Sequence, residues 1–260
     1  MVTEADLATL PDPVARYIQR FGAVGQPRPR NFFAEIHGRI RGGPDKPWMT
    51  FTGRQLNTYG KTPQRLFYID ATMFGLPVTV FHVFDAHAAS MRGKVVSLVP
   101  ILDARGPEMD RSETVTLFND MVVFAPAALL DAEVRWTELS PTRVRAAYSR
   151  AGETITADLV FDEAGDLVDF VSQDRSRASA DGTSFTTLPW NTPITRHGTR
   201  RGHRVAVEGA AMWDAADPEG HFSYIEFRVD DLAFNVSEPA IPQQSEATPM
   251  ERSSRLAGAS

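Results

Sequence analysis

Apolar side chains near the start of the chain recur at the spacing of one helix face. The positions are Leu10, Val14, Tyr17, Ile18 and Phe21. Because three or four residues separate neighbours on one face of an α-helix, this pattern predicts a helix over residues 6–21. Asp12-Pro13 supplies a helix-start signal inside that segment.

From residue 31 the hydrophobic period changes to two. Phe32, Ala34 and Ile36 share one face, while Glu35 and His37 lie on the other, as in a half-buried strand. Further strand-like runs follow, separated by turn sequences such as GGPDKP, YGKTPQ and FGLP. These runs cover residues 48–58, 65–73, 77–87, 88–99, 133–139, 142–150, 153–161, 166–176, 183–189, 203–213 and 221–236.

The longest nearly apolar run, LFNDMVVFAPAALLDAEVRW, covers residues 117–136. The sequence DRSE at 110–113 has the form of a capping box, so it predicts a helix start. An apolar stripe then continues until Pro126 ends the helix. The adjacent pair Asn119-Asp120 interrupts this run. Since buried polar groups without partners are costly, the pair either braces the fold or faces a ligand.

Roughly ten or more antiparallel strands around one central helix predict a mainly β protein of the α+β kind. We expect a large curved antiparallel sheet or incomplete β-barrel, closed by the N-terminal and central helices. The lack of βαβ alternation argues against a Rossmann fold. Residues 1–236 are predicted to form a single half-barrel domain. Residues 237–260 lack aromatic residues and are predicted to be disordered.

Charge and composition exclude several classes of protein. The net charge is −6, from 33 acidic and 27 basic residues, without the basic footprint of a nucleic-acid-binding protein. The basic segment RHGTRRGHR at 196–204 is short and isolated and is interpreted as a solvated turn. The lack of cysteine excludes disulfides, thiolate zinc sites, iron–sulfur clusters and a cysteine nucleophile.

The sequence predicts a cytoplasmic protein without a membrane span. The N-terminus MVTEADLATL lacks the basic and apolar regions of a signal peptide. No window approaches 18 consecutive apolar residues, which a spanning helix requires. No cofactor is expected either, because GxSxG, Walker and dinucleotide-binding motifs are missing.

Asp120 is the main candidate for acid–base chemistry. On a helical wheel it lies beside Phe124 at the rim of the apolar stripe, where desolvation would raise its pKa and suit it to proton transfer. The alternative is structural: Asp120 accepts hydrogen bonds from a strand or pairs with an arginine. Arg175 is the natural partner because a planar guanidinium matches a carboxylate bidentately. Its neighbour Asp174 faces the other way in a strand.

Polar residues also lie within two apolar strands. Asp70 is set against the face of Phe67, and His82 lies among apolar neighbours, where a core histidine is commoner than a catalytic one. Metal-assisted hydrolysis through His82, Asp85 and His87 is a third hypothesis, although Asp85 and His87 share a strand face that His82 does not. No metal is expected, because ligand spacing such as HExxH is lacking.

Several long segments resemble a bacterial family of unknown function. They are LPDPVARYIQRFG, FTGRQ, ETVTLFNDMVVFAPAALLD, VRW, LVFDEAGDLVDFVSQDR, LPWNTP and LAFNV. The chain resembles family DUF6544 from about Leu10 to Val236, and the resemblance implies an open half-barrel of the lipoprotein-carrier type. It implies no established reaction. Many relatives begin with membrane-spanning helices, whereas this chain begins at the LPDPV helix, which favours a soluble role.

The resemblance also identifies positions that match the family pattern. These are Gln55, Asp85, Asn119, Asp120, Pro126, Trp136, Arg175, Trp190 and Trp213. Together with the strand patterns they define the candidate ligand-binding residues. The candidates are Gln55, Phe67, Asp70, His82, Asp85, Phe124 and Trp190.

Two functions fit these observations. The first is a cofactor-free cyclase or isomerase that holds a hydrophobic, polyketide- or terpenoid-like biosynthetic substrate in an enclosed apolar pocket. Asp120 would be its acid or base, Asn119 an oxyanion-type donor and Arg175 the group that holds Asp120. The alternative is a non-catalytic binding or carrier protein for a lipid or fatty acyl chain, in which Asp120 is structural. The sequence does not define the oligomeric state.

Overall fold

The structure is a computed structural model that describes residues 1–86 and 88–237. The predicted disordered tail lies, from residue 238 on, outside the described residues, as does His87. Three α-helices and one 3₁₀ helix occur within the described part. They are α1 Glu4–Leu7, α2 Asp12–Phe21, α3 Pro107–Phe124 and the 3₁₀ helix Pro126–Asp131. None of these helices combines the length and the apolar character that a membrane crossing requires.

The described residues form sixteen strands. They are β1 Asn31–Ile40, β2 Met49–Thr58, β3 Gln64–Met73, β4 Leu76–Phe84, β5 Ala89–Val95, β6 Val99–Arg105, β7 Val134–Ser140, β8 Arg143–Arg150, β9 Glu153–Phe161, β10 Leu167–Ser172, β11 Ser176–Ala178, β12 Phe185–Thr187, β13 Trp190–Asn191, β14 Ile194–Arg200, β15 His203–Asp214 and β16 His221–Phe234.

Fourteen of the strands form one antiparallel sheet. Its order is β6-β5-β4-β3-β2-β1-β16-β15-β13-β10-β9-β8-β7, and β14 pairs with β15 beside this path. The sheet is curved and open, because β6 and β7 are its two edges and do not pair within the described residues. Strands β11 and β12 form a separate hairpin against α3. The predicted fold class, a large curved antiparallel sheet closed by helices, is confirmed.

Helix α3 lies in the concavity of the sheet. It contacts β5 and β6 on one side and β9, β10 and β15 on the other, and every residue from Ser112 to Phe124 is buried. A helix that is buried all round is a core helix rather than a surface one. Phe118 stacks on Tyr148 with 4.7 Å between ring centroids. Helix α3 therefore occupies space in which the sequence predicted an enclosed apolar pocket.

The predicted N-terminal helix over residues 6–21 is instead two helices. Thr3 and Asp6 cap α1 reciprocally, and α2 starts afresh with Pro13 in its first turn, a position that tolerates the missing N–H group. The buried face of α2 packs against β8 and β15. Tyr17 Oη donates a hydrogen bond of 2.9 Å to the carbonyl oxygen of Val122, which ties α2 to α3.

The predicted capping box at residues 110–113 is wrong. Helix α3 begins at Pro107, after Gly106, because proline is favoured in the first turn of a helix. Asp110 accepts a hydrogen bond of 2.6 Å from the backbone N–H of Ala89 on β5. Glu113 is 1% exposed and lies in the interior. Both acidic side chains therefore serve contacts with the sheet rather than the helix end.

Further sequence predictions need correction. The predicted strand 166–176 ends at Ser172 as β10, so Asp174 and Arg175 do not lie in a strand. The predicted strand 88–99 is β5 followed by a turn that begins at Val96, and β6 begins only at Val99.

The predicted solvated turn 196–204 consists largely of paired strand residues from β14 and β15. Arg196, Arg201 and Arg204 pair with carboxylates, and Arg200 donates to the carbonyl oxygen of Val229. Arg204, for example, donates to Asp166 at 2.6 Å. The basic segment is therefore part of the sheet.

Candidate functional site

Helix α3 presents a stripe of buried polar side chains to the inner face of the sheet. The polar stripe consists of Ser112, Glu113, Thr116, Asn119 and Asp120, each between 1% and 6% exposed. The other four residues lie one, four, seven and eight positions after Ser112, so all five share one face of the helix. The opposing polar side chains come from β2, β3 and the segment after β10. One face of α3 is therefore polar although it lies in the interior of the protein.

Arg65 of β3 bridges the two carboxylates of the stripe. Its Nε donates to Asp120 Oδ2 at 2.7 Å, and its Nη1 donates to Glu113 Oε2 at 3.0 Å. Asp120 Oδ2 also accepts from Gln55 Nε2 at 2.6 Å and from Asn57 Nδ2 at 3.1 Å. Three donors thus hold one carboxylate oxygen, an arrangement that braces α3 against β2 and β3.

The predicted pairing of Asp120 with Arg175 is wrong, because Arg65 is the partner. Arg65 begins the inward row of β3, directly opposite α3, and its side chain is only 6% exposed. Arg175 follows β10 and reaches a different part of the stripe. Both arginines contact α3, but only Arg65 is within ion-pair distance of Asp120 in the described residues.

The two carboxylates have opposite pKa shifts. Burial raises the pKa of Asp120, and the attraction of Arg65 offsets this only in part. Burial also acts to raise the pKa of Glu113, but Arg65, His82 and Arg175 together outweigh it and lower this pKa to about 2. The two acids and one guanidinium leave this buried group with one excess negative charge when both acids are ionised.

Gln55, Phe67 and His82 lie side by side across three strands. Gln55 pairs with Phe67, and Phe67 pairs with His82, so all three face α3 in one cross-strand row. Burial lowers the pKa of His82. Its Nδ1 is buried without a hydrogen-bond partner, 3.7 Å from Glu113 Oε1. These three predicted ligand-binding residues are therefore brought together beside the polar stripe.

Arg175 lies in an aromatic cluster at the other side of the stripe. Its guanidinium carbon stands 4.6 Å from the ring centroid of Trp190 and 5.0 Å from that of Trp213. Arg175 Nε donates to Thr116 Oγ1 at 3.1 Å, and Nη1 donates to Tyr224 Oη at 3.0 Å. We call Arg175, Trp190, Trp213 and Tyr224 the arginine cluster.

The arginine cluster has no carboxylate within the described part of the chain. Arg175 is half-buried there without an ion-pair partner. Asn119 lies three residues beyond Thr116 on the same helix face, and its buried Oδ1 accepts no hydrogen bond. The positive charge of Arg175 contributes to the lowered pKa of Glu113, so these two groups are electrostatic neighbours although they form no ion pair. In the described residues, Arg175 thus has no carboxylate in direct contact, and Asn119 Oδ1 has no donor.

The other three predicted ligand-binding residues lie elsewhere. Asp70 is exposed on the outer face of β3, between Thr52 and Thr79. Asp85 follows β4, and its backbone oxygen accepts a hydrogen bond of 2.6 Å from Arg150. Phe124 ends α3 and packs edge-on against Phe32, with ring centroids 5.5 Å apart. Asp70 thus lies apart from the side chains that face α3, and Phe124 belongs to the core. A role of these residues and of Asp85 in ligand binding stays a prediction.

Several residues of the site were missed from sequence. They are Asn57, Arg65, Glu113, Thr116 and Tyr224, whereas Trp213 was identified only as a position that matches the family pattern. Arg65 shares its strand parity with Phe67 and Ile69, so alternation alone would have placed it inward. Glu113 and Asp120 are seven residues apart, which would have placed them on one helix face. Glu113 was instead assigned to a capping box, so its position on the same helix face as Asp120 was not predicted.

The third hypothesis, a metal site from His82, Asp85 and His87, includes a residue outside the described part. Within residues 1–86 and 88–237, no three side chains of His, Asp or Glu lie close enough together to hold a metal ion. His82 faces α3, whereas Asp85 contacts the chain near Ala88 through a hydrogen bond of 3.2 Å. The described residues give this hypothesis no support.

The fold and site define a class: an open antiparallel half-barrel wrapped around a central helix that carries a buried polar stripe. The chain belongs to the family of unknown function DUF6544, whose model matches residues 1–227. The predicted resemblance to this family is confirmed. No curated protein matches the chain in sequence.

Solved structures of similar shape include three bacterial proteins. A domain from Vibrio parahaemolyticus named for outer membrane lipoprotein sorting has a TM-score of 0.49 at 11% identity, covering 87% of this chain and 94% of its own. A DUF1329 family protein from Desulfovibrio piger ATCC 29098 has a TM-score of 0.46 at 11% identity, covering 91% and 95%. A LolA superfamily protein from Nitrosomonas europaea has a TM-score of 0.45 at 10% identity, covering 92% and 96%. Similarity at this level is compatible with many functions.

Proposed function

We propose that this protein binds a hydrophobic small molecule that carries an anionic head group, as a non-catalytic binding or carrier protein for a lipid or fatty acyl chain. The observation that carries the proposal is Arg175, a half-buried cation that stacks on two tryptophans and has no carboxylate partner in the described residues. A desolvated arginine in this state favours an incoming carboxylate or phosphate.

The geometry around Arg175 suits an anionic head group. A guanidinium has five N–H donors, and the protein hydroxyls of Thr116 and Tyr224 occupy only two of them. The stacking on Trp190 and Trp213 fixes the plane of the guanidinium, so its orientation does not have to be ordered on binding. His82 and Asn119 offer further unused polar atoms along the stripe.

Apolar side chains near this cluster are available for the hydrophobic part of the ligand. Several residues of the sheet pack against the core yet remain partly exposed. They include Ile40, Ile225 and Phe227. Ile40 pairs with Ile225, and Ile225 directly follows Tyr224 of the arginine cluster. A ligand with its head group at Arg175 would place its chain along this surface, where burial of each CH₂ group contributes about 0.8 kcal/mol.

The cyclase or isomerase hypothesis has less support. Asp120 Oδ2 already accepts hydrogen bonds from Gln55, Asn57 and Arg65, so three neighbouring side chains hold this carboxylate in place. The raised pKa of Asp120 has burial as its cause, which a bracing role explains equally well. Asp120 is therefore proposed to hold α3 in place rather than to transfer a proton.

Calorimetric titration with palmitate tests the proposal. We expect stoichiometric binding to the wild-type protein, and a loss of affinity of about tenfold or more in Arg175→Gln, because a charge-assisted hydrogen bond is removed. The matched control is Arg196→Gln, which removes an exposed arginine paired with Glu208 and should bind palmitate like the wild type. Hexadecanol, which has the same chain but no charge, should bind both proteins with similar, weaker affinity. Equal palmitate affinity in the wild type and Arg175→Gln would overturn the proposal.

A further inference from the structure

Two neighbouring hairpins end in exposed apolar side chains. Phe74 is 85% exposed in the turn between β3 and β4, and Leu98 is 81% exposed in the turn between β5 and β6. The backbone N–H of Val96 donates to the carbonyl oxygen of Pro77 at 2.8 Å, which joins the two turns side by side. We call this surface the apolar tip. It consists of Phe74, Leu76, Val96, Leu98, Val99 and Ile101, each at least 41% exposed.

In these two turns, apolar residues adopt positive φ angles, which residues other than glycine rarely adopt. Phe74 and Gly75 have φ angles of 51° and 81°, and Val96 and Ser97 have φ angles of 52° and 57°. Tight hairpin turns with two such residues are normally built from Asn, Asp and Gly, and a β-branched residue in this conformation is a clear outlier. A bulky phenylalanine and a valine at these positions are not explained by turn geometry, so their side chains have another use.

The charge of the apolar tip differs from that of the rest of the protein. The chain has a net charge of −6. In the segments 71–80 and 93–102, by contrast, Lys94 is the only charged residue. A surface without carboxylates meets no repulsion from the phosphates of a lipid headgroup layer. A protruding apolar surface that lacks acidic residues is therefore suited to the interface of a bilayer.

Pairing with a second copy of the chain is less well supported. Strand β6 is an edge of the sheet, but Pro100 lies opposite Lys94 within it, and proline removes a donor that an added strand would need. The side chains of Phe74 and Leu98 are almost fully exposed, as expected of protruding turns. A stable protein interface requires a broad area of about 800 Å² on each partner, whereas two turn tips can enter a deformable lipid layer directly.

We propose that the apolar tip inserts into the interface of a lipid bilayer and docks the protein on a membrane surface. We expect the burial of apolar side chains to drive insertion. Lys94 is the only charged residue in the segments 71–80 and 93–102, so the tip has no cluster of basic residues to attract anionic lipids. Binding should then occur on zwitterionic phosphatidylcholine and change little with salt. This inference is independent of the arginine cluster, since the apolar tip and Arg175 share no residue.

Co-sedimentation of the full chain with phosphatidylcholine vesicles tests the inference. The wild-type protein should partition onto the vesicles, and the double variant F74S/L98S should lose partitioning at least tenfold. The matched control is Leu139→Ser, which replaces a 44% exposed leucine at the end of β7 and should partition like the wild type. All replaced side chains are exposed, so folding is expected to be retained, and circular dichroism of each variant checks this.

A fluorescent label gives a second measurement of the same event. Because the chain has no cysteine, Ser97→Cys can carry a single environment-sensitive dye in the apolar tip. Addition of phosphatidylcholine vesicles should shift its emission to shorter wavelength, whereas the same dye at Glu138→Cys on β7 should not respond. Three results would each overturn the inference: no partitioning of the wild type, equal partitioning of F74S/L98S, or a wild-type dimer that F74S/L98S converts to a monomer.

Discussion

At the scale of single residues, Arg65 supplies the positive charge that compensates the buried carboxylates of α3. It lies between Asp120 and Glu113, and all three side chains are at most 6% exposed. Buried charges are expensive unless they are paired and hydrogen-bonded. The hydrogen bonds from Gln55 and Asn57 complete the coordination of Asp120. The stability of this protein is therefore expected to depend strongly on one arginine.

Arg65→Met should destabilise the protein by about 3–5 kcal/mol, because it leaves two buried carboxylates without their cation. Urea unfolding measures this as a lower midpoint of the transition. The control is Arg105→Met, which removes an exposed arginine paired with Asp103 and should change the free energy of unfolding by less than about 1 kcal/mol. An unchanged midpoint in Arg65→Met would contradict the bridging role.

Glu113 gives the protein a specific sensitivity to acid. Its pKa in the folded state, about 2, lies below its ordinary value of 4.5 because Arg65, His82 and Arg175 together outweigh the effect of burial. Ionised Glu113 therefore stabilises the folded state above pH 4.5, and this stabilisation is lost as the pH falls from 4.5 towards 2. The loss is on the order of 3 kcal/mol for a shift of this size.

Glu113→Gln tests this dependence because glutamine keeps the shape and loses the titration. The free energy of unfolding, measured between pH 5 and pH 2, should fall less steeply in the variant than in the wild type over that window. Parallel pH profiles would show that Glu113 has its ordinary pKa in the folded protein. Glu153→Gln is the control, because Glu153 is exposed and pairs with the surface residue Arg111.

At the scale of secondary-structure elements, α3 organises the interior. The apolar side of the helix packs on the second half of the sheet, where Phe118 contacts Tyr148 and Phe170 with centroid distances of 4.7 and 5.8 Å. The polar stripe faces β2 and β3 through Glu113 and Asp120, and the segment after β10 through Ser112 and Thr116. The same helix thus connects an apolar core to a polar site, and its packing sets the position of Asn119 and Asp120.

Phe118→Ala should cost about 3–5 kcal/mol of stability, because it removes a fully buried aromatic ring and leaves a cavity. Thermal and urea unfolding of the variant measure the loss. Phe74→Ala is the matched control, since Phe74 is 85% exposed and its removal should change stability by no more than about 0.5 kcal/mol. A loss of similar size in both variants would contradict the assignment of α3 as the core helix.

Local patterns predicted the elements well and their long-range partners poorly. The period of two in β1 and the helical period before Pro126 are properties of adjacent residues, so the sequence reveals them directly. The partner of Asp120 lies 55 residues away on β3, and no local pattern specifies that register. The DRSE motif failed for a related reason: Asp110 and Glu113 are engaged by residues of the sheet, and Pro107 offers an earlier helix start.

At the scale of the whole molecule, the open sheet brings three features into one architecture. The arginine cluster lies where β10, β13, β15 and β16 meet α3, the polar stripe runs along the helix, and the apolar tip lies at the β6 edge. The curved antiparallel sheet was predictable from the number and spacing of the strands. The arginine cluster was not, because Trp190, Trp213 and Tyr224 come from three different strands.

The central claim is that Arg175 holds the anionic head group of a hydrophobic ligand. Native mass spectrometry of the protein purified from its own host, followed by denaturing extraction, tests this most directly. We expect one equivalent of an acidic amphiphile bound to the wild-type protein and little or none bound to Arg175→Gln. An empty wild-type protein, a neutral bound molecule, or equal loading of the wild type and Arg175→Gln would contradict it.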